Sequence, residues 1–328
     1  MRTLHRLRRV LAWLTALGLR TSGVLAWLRR RRARRGHVLV LALHRVGGSP
    51  RGAPLSMPEA AFRKMLAGLA QRYRICTWEE CVAAPGSGDP RLRVVLSFDD
   101  GYRDNAEVAW PILRAAGASA LFFPTTSFLD GEPLWWELVA AAKRAPGPTG
   151  EAFGAAAEAE IARLKEVPAS ELSRVVGGLA ERVGSDPGLS QPMEWEDVRS
   201  MATQGAVFGG HGATHALLTG CSDAELATEL ETCRRRLTEQ LGHEISLFAY
   251  PDTAHDARTV SAVRAAGFRY AFIGDGRVYT PGSDPLRIPR ISIDGSLYSV
   301  AGRFSWTLLE AEILGAFDGL RRRFRWSP

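Results

Sequence analysis

The sequence predicts an α/β protein built on a parallel sheet, and three observations carry that prediction. From His37 onward, short apolar runs alternate with segments of helical periodicity, the rhythm of parallel strands joined by helices. The runs, VLVLAL (38–43) first among them, are rich in Val and Leu without polar alternation, as strands covered on both faces are. Polar residues with chemical reach follow directly after several of these runs. The pattern alone leaves open a doubly wound sheet and a closed barrel.

The first 36 residues stand apart. MRTLHRLRRVLAWLTALGLRTSGVLAWLRRRRARRG holds eleven arginines and no Asp or Glu, while the whole chain of 328 residues carries +7, so the remainder carries −4. A mildly acidic body argues against a nucleic-acid partner, because a binder of nucleic acid carries its basic face on the fold itself. The apolar stretch from Val10 to Leu28 is interrupted by Arg20, Thr21 and Ser22, whereas a spanning helix needs about 20 predominantly apolar residues. Arg-rich flanks with Trp13, Trp27 and leucines suit an amphipathic helix lying on an anionic membrane surface. A solvated basic tail is the plainer alternative. The C-terminal RRRFRWSP repeats the theme, with Phe324 and Trp326 among arginines.

After VLVLAL, residues 59–72 read as a helix with Phe62, Met65, Leu66 and Leu69 on one face. RVVLSF (93–98) is the next strand, a helix over about 105–116 ends at Gly117, and ALFFP (120–124) follows as a strand. Between about Asp130 and Trp195 the rhythm gives way to an Ala- and Glu-rich stretch, read as a helical insertion of two or three surface helices. GAVFG (205–209), SLFAY (246–250) and YAFIG (270–274) complete the strands. Ser222 and Glu225 form a capping box for a helix that Gly242 terminates, and residues 257–267 form another closing on glycine. The expected division is a basic amphipathic segment (1–36), a main domain (37–300) with the insertion at about 130–195, and a C-terminal helix with a basic tail (301–328). Cys76, Cys81, Cys221 and Cys233 make neither a zinc-type CxxC pair nor a disulfide frame. A cytoplasmic or peripherally membrane-associated location is expected, with an extracytoplasmic one left open.

The chemistry-bearing residues sit where strands stop. LSFDDGYRDN (96–105) ends a strand in two carboxylates, Asp99 and Asp100, before a glycine. His44 follows VLVLAL, His211 follows AVFGG, and Tyr250 and Asp252 flank Pro251. In a parallel architecture all strands end on one side, so these residues converge on one rim. GGHGATH (209–215) places two histidines four apart, but Gly212 stands where a metalloprotease of the HExxH type has its Glu, and three glycines make a helix there improbable. Two imidazoles and a carboxylate with open positions make a site for a catalytic divalent metal such as zinc. Taken singly, each feature has a plainer reading, an Asp-Gly turn or a hydrogen-bonded rim histidine.

With LALHRVGG, LSFDDGYRDN, HGATH and FAYPDTAHD in that order, the chain resembles the polysaccharide deacetylase family, the NodB-homology domain, from about His37 to Asp294. The WEDVRSMATQGAVFGGH run and the arginine of RIPRISID also fit. The resemblance implies a distorted parallel (β/α) barrel that removes acetyl groups from an N-acetylated polysaccharide, an exopolysaccharide or a cell-envelope glycan. It implies Asp99 as general base and Asp100, His211 and His215 as ligands of a divalent metal, by default zinc. The backbone N–H of Asp252 would stabilise the oxyanion. The chain departs from the family pattern at Ala249, where an arginine is usual, and at Thr253, Gly212, Ala216 and Leu43. No clear Leu-x-His element supplies a general acid, which leaves His44 or His255 for that role and Arg290 as substitute for the missing arginine. An O-acetyl esterase and a non-catalytic glycan-binding member of the fold are the alternative readings. Trp135–Trp136 either stacks on sugar rings or packs the insertion onto the barrel.

Overall fold

The computed structural model describes residues 2–47, 55–83, 89–144, 154–184, 186, 188–295, 298–300 and 302–318, with side chains from Arg8 on. The RRRFRWSP segment, with Phe324 and Trp326, lies outside the described residues. The strands that build the body are β1 (Val38–Leu43), β2 (Arg93–Asp100), β3 (Leu121–Pro124), β4 (Val207–Phe208), β5 (Leu247–Ala249), β6 (Tyr270–Ile273), β7 (Ile288–Pro289) and β8 (Ile291–Ser292). They run parallel, in the order β8-β1-β2-β3-β4 in one sheet and β7-β6-β5 in another. The β1·β2 pair is the longest, in register from Val38↔Arg93 to Leu43↔Phe98.

Two links join the sheets. Gly210 N–H donates to the Leu247 carbonyl at 2.9 Å and Ala249 N–H to the Gly210 carbonyl at 2.8 Å, which ties the end of β4 to β5. On the far side, β7 and β8 are separated only by Arg290. Alternate residues of six strands, among them Val38, Val40, Val95, Leu121, Phe123, Leu247, Ala249, Phe272 and Ile288, meet in one buried cluster. Their strand neighbours Leu39, Leu41, Val94, Leu96, Phe98 and Phe122 face outward into a second cluster shared with the helices. Both faces of the strands are therefore dry, which is why VLVLAL shows no polar alternation.

Most elements fall where periodicity puts them. The helix read at 59–72 is Glu59–Arg72, and the capped helix spans Asp223–Leu241, with Ser222 accepting from Glu225 N–H and Gly242 at φ +73. The strand read at 205–209 is reduced to Val207–Phe208. Strands β7 and β8 have no counterpart in the sequence reading. Two residues each, flanked by Pro289 and Arg290, are too short to show a period of two.

The N-terminal segment forms two helices, α1 (Arg2–Thr21) and α2 (Val24–Arg34), meeting at Gly23 with φ +79. The insertion supplies α3 (Trp135–Ala142), α4 (Ala155–Leu164) and α5 (Ala169–Val183), which pack on one another through Trp135, Val139, Leu164 and Leu172. Helix α6 (Asp223–Leu241) backs the site, and α7 (Trp306–Ile313) lies against α1. Ala12, Ala16 and Leu25 of the N-terminal pair are buried in the same cluster as Leu308 and Leu309. Arg29 pairs with the buried Glu310 at 2.7 Å, and Arg32 donates to the Leu314 carbonyl at 3.0 Å.

Candidate active site

Strand β2 carries its two carboxylates into one cleft by breaking its own geometry at the last residue. Consecutive strand side chains point to opposite faces, and Asp99 and Asp100 still pair in register with Phe123 and Pro124. Asp100, however, has φ +72 and Gly101 φ +93. The Gly101 N–H donates to the Asp99 carbonyl at 2.9 Å, closing a three-residue turn over Asp100. A Cβ on Gly101 would stand 2.7 Å from Cβ of Pro124, so no other residue fits. Holding a non-glycine residue at positive φ costs about 1–3 kcal/mol, a strain that concentrates at functional sites.

The rest of LSFDDGYRDN positions the neighbouring strand end. Asn105, fully buried, donates from Nδ2 to the His44 carbonyl at 2.8 Å. Asp104 accepts from Arg45 Nε at 2.9 Å and from Val46 N–H at 3.1 Å. The segment after β1 is thus hydrogen-bonded to the segment after β2, and His44 stands beside the carboxylates.

The histidines arrive through a narrow passage. A Cβ on Gly209 would meet Phe123 at 2.6 Å and the Leu247 carbonyl oxygen at 2.7 Å; one on Gly210 would meet Cys233 Sγ at 2.8 Å. Beyond the glycines the loop turns at Gly212 (φ +81) and again at His215 (φ +60). Glu229 of α6, buried beneath it, accepts from Ala213 N–H (2.9 Å), Thr214 N–H (3.0 Å) and the Thr214 hydroxyl (2.6 Å). His211 donates from Nδ1 to the Ala249 carbonyl at 2.8 Å. A carbonyl only accepts, so Nδ1 carries the proton and Nε2 keeps its lone pair free for a ligand role.

Nε2 of His211 and Nε2 of His215 lie 3.5 and 3.4 Å from Oδ1 of Asp100, and the three candidate ligand atoms sit within 4.8 Å of one another. All three residues are buried, and Oδ1 of Asp100 is sealed from solvent with no hydrogen-bond partner. A buried, unsatisfied carboxylate oxygen facing two imidazole lone pairs is the donor set that a divalent cation satisfies. The residues therefore fit a metal. Burial alone would raise the Asp100 carboxyl, but the His211 and His215 imidazoles beside it hold it well below the usual carboxylate range. Burial lowers the His215 pKa and so favours its neutral, ligating form.

Asp99 is held separately. Arg290, 2 % exposed, grips it with both terminal nitrogens, Nη1 to Oδ1 and Nη2 to Oδ2, each at 2.7 Å. Burial pushes the Asp99 carboxyl up, but Arg290 and His211 together hold it below its ordinary value. His44 faces the same carboxylate, with Nε2 4.0 Å from Oδ2. Arg290 comes from the link between β7 and β8, while Ala249, two residues before Pro251, is fully buried.

These groups line a cleft of about 540 Å³ together with Trp136, Glu137, Lys165, Tyr250 and Asp252. His44, Asp99, Asp100, His211, His215, Asp252 and Arg290 are thus brought to one place. Asp252 stands at the rim, with φ +50 and its carboxylate paired to Lys165 at 2.6 Å. His255 does not line the cleft, and its Nδ1 lies 2.8 Å from the Thr253 carbonyl oxygen. The tryptophan pair divides its duties: Trp135 is buried among the insertion helices, and Trp136 sets its ring 4.4 Å from that of His215. Two residues carried no signal in the sequence. Glu229 sits mid-helix like any surface glutamate. Glu137 is buried in the cleft wall, its carboxyl pushed up by burial, with Oε2 accepting from Ser190 N–H at 2.7 Å.

Comparison with known proteins identifies the family and the fold. The model of the polysaccharide deacetylase family matches residues 87–271. No curated protein matches the sequence. Among solved structures, the chain is similar to the Streptococcus pyogenes deacetylase PplD in complex with acetate, at 19% identity and TM-score 0.56, covering 81% of this chain and 96% of that one. It is similar to IcaB from Ammonifex degensii at 19% identity and TM-score 0.56, covering 85% and 97%. It is also similar to a de-N-acetylase from Aggregatibacter actinomycetemcomitans at 17% identity and TM-score 0.57, covering 84% and 99%. Likeness at this identity shows the fold. The matched segment takes in both the paired carboxylates of β2 and the histidine loop, and by it the chain belongs to the polysaccharide deacetylase family of hydrolases, the NodB-homology group.

Proposed function

We propose that the protein is a metal-dependent hydrolase that removes N-acetyl groups from an N-acetylated polysaccharide, an exopolysaccharide or a cell-envelope glycan, with zinc as its metal. The observation that carries this reading is the Asp100–His211–His215 donor set beside a separately held Asp99. When bound, a divalent metal supplies Lewis acidity toward the acetyl carbonyl and the attacking water. Asp99, aimed by Arg290, takes the proton from that water as it attacks. His44, beside Asp99 on the cleft wall, returns a proton to the departing amine. The backbone N–H of Asp252 steadies the developing oxyanion from the rim. A sugar ring packs on Trp136. The likeness to a de-N-acetylase supports amide over ester as the bond cleaved.

The test is acetate release from N-acetylglucosamine oligomers. Release that stops with chelator and returns with zinc is the expected result. Release from O-acetylated glycan alone would make the protein an esterase, and no release from either would make it a binding member of the fold. A His211→Ala, His215→Ala double variant is expected to lose the bound metal; unchanged stoichiometry would overturn the ligand assignment.

A further inference from the structure

The N-terminal helix pair presents an outward surface that the catalytic reading does not use. On α1, Ala12 and Ala16 are buried against the body, while Val10, Leu11, Leu14 and Leu17 are 37–54 % exposed. At 100° per residue these four fall within an arc of about 120°, opposite the buried alanines. A solvent-facing row of leucines on a helix whose other face is docked is a patch without a partner among the described residues. On α2, Trp27 is 56 % exposed and Arg31 stacks over its ring at 5.1 Å.

The charge around this surface identifies the partner. Residues 1–36 hold eleven arginines and no acidic residue. Arg29 and Arg32 are used to fasten α2 to the body. Among the described residues, Arg8, Arg30, Arg31, Arg34 and Arg35 are exposed with no carboxylate bridged to them. Exposed leucines beside uncompensated arginines match a surface that is apolar beneath and anionic above, the interface of a bilayer carrying acidic lipid. A nucleic acid would leave the leucines without a use, and a second copy would bring like charges face to face. Among the described residues no single helix is long and apolar enough to cross a membrane; the two helices reach that length and composition only together, as a pair bent by 71°.

We propose that the outer face of α1, with the free arginines of α2, docks flat on an anionic lipid surface, so that the body is carried on the membrane by a platform packed into its own core. This does not depend on the deacetylase reading. Full-length protein is sedimented with vesicles of phosphatidylcholine alone or mixed equally with phosphatidylglycerol. The expected result is binding at least ~10-fold tighter to the anionic vesicles, weakening as salt is raised. Leu11→Glu/Leu14→Glu/Leu17→Glu is expected to lose at least ~10-fold in that binding while keeping its thermal midpoint, since these side chains face solvent. Arg30→Gln/Arg31→Gln/Arg34→Gln, which leaves the apolar row untouched, is expected to lose the preference for acidic lipid. Equal binding by wild type and both variants, or no binding to either vesicle, overturns the proposal. So does a vesicle-free dimer in sedimentation velocity that the glutamate variant dissolves, which would assign the face to a second copy.

Discussion

Asp99 and Asp100 are neighbours in sequence with opposite environments, and that contrast yields two predictions. Asp100 reaches the imidazoles because its backbone lies at φ +72, whereas Asp99 stays in the ladder and is gripped by Arg290. Asp99→Asn should leave the metal bound and lower turnover by about 10²–10⁴-fold, the range for a lost general base. Full turnover with metal bound would sink the assignment. Arg290→Met should act through Asp99. With Arg290 present the carboxyl is held below its ordinary value, so its contribution to stability is complete above about pH 3.9 and is lost as pH falls through the lower folded value. Without the guanidinium, burial dominates and the carboxyl rises. The acidic limb of the pH–rate profile should then move to higher pH, and stability at neutral pH should fall by about 3–5 kcal/mol, as for a broken buried pair. An unmoved limb, with urea unfolding unchanged, would show that Arg290 does not control this group.

Among the elements, α6 supports the histidine loop from beneath. Glu229 takes three donors from Ala213 and Thr214. Glu229→Gln keeps the shape but replaces an acceptor with an amide that also donates, leaving a loop N–H or hydroxyl poorly paired. Metal affinity, measured by chelator competition, should weaken about 10–100-fold, the usual penalty for disturbing groups that orient ligands. Unaltered affinity would reduce Glu229 to a structural carboxylate. The insertion has a comparable supporting role: α3 buries Trp135 as its anchor and thereby sets Trp136 against His215.

Taken whole, the molecule is fastened end to end. The Arg29–Glu310 pair joins α2 to α7, and Tyr73 donates to the same buried carboxylate at 3.3 Å. Arg29→Met would strand Glu310, which is 2 % exposed. Global stability should drop by on the order of 3 kcal/mol, read as a lower urea midpoint with an unchanged slope. A loss confined to the N-terminal helices, with the body unfolding at its usual midpoint, would show that the pair is not part of the cooperative core.

Strands β1 to β6 were legible because apolar runs covered on both faces leave a local mark, and the helices because caps and periodicity do. The candidate site residues were legible too, since parallel strands end together and place Asp99, Asp100 and His211 on one rim with no further assumption. What remained illegible depends on contacts across the chain. Arg290 is expected from the sequence as substitute for the missing arginine, but its two-point grip on Asp99 exists because β7 and β8 run beside β1, a pairing across 191 positions between segments too short to show a period. Glu229 looks like any helix-surface acid until α6 is laid under the HGATH loop. The N-terminal segment reads as an amphipathic helix or a solvated tail, and which of its faces is buried is decided only when α1 is seated on α7. Composition and period record how a residue is covered; which residue covers it is settled by packing between segments distant in sequence.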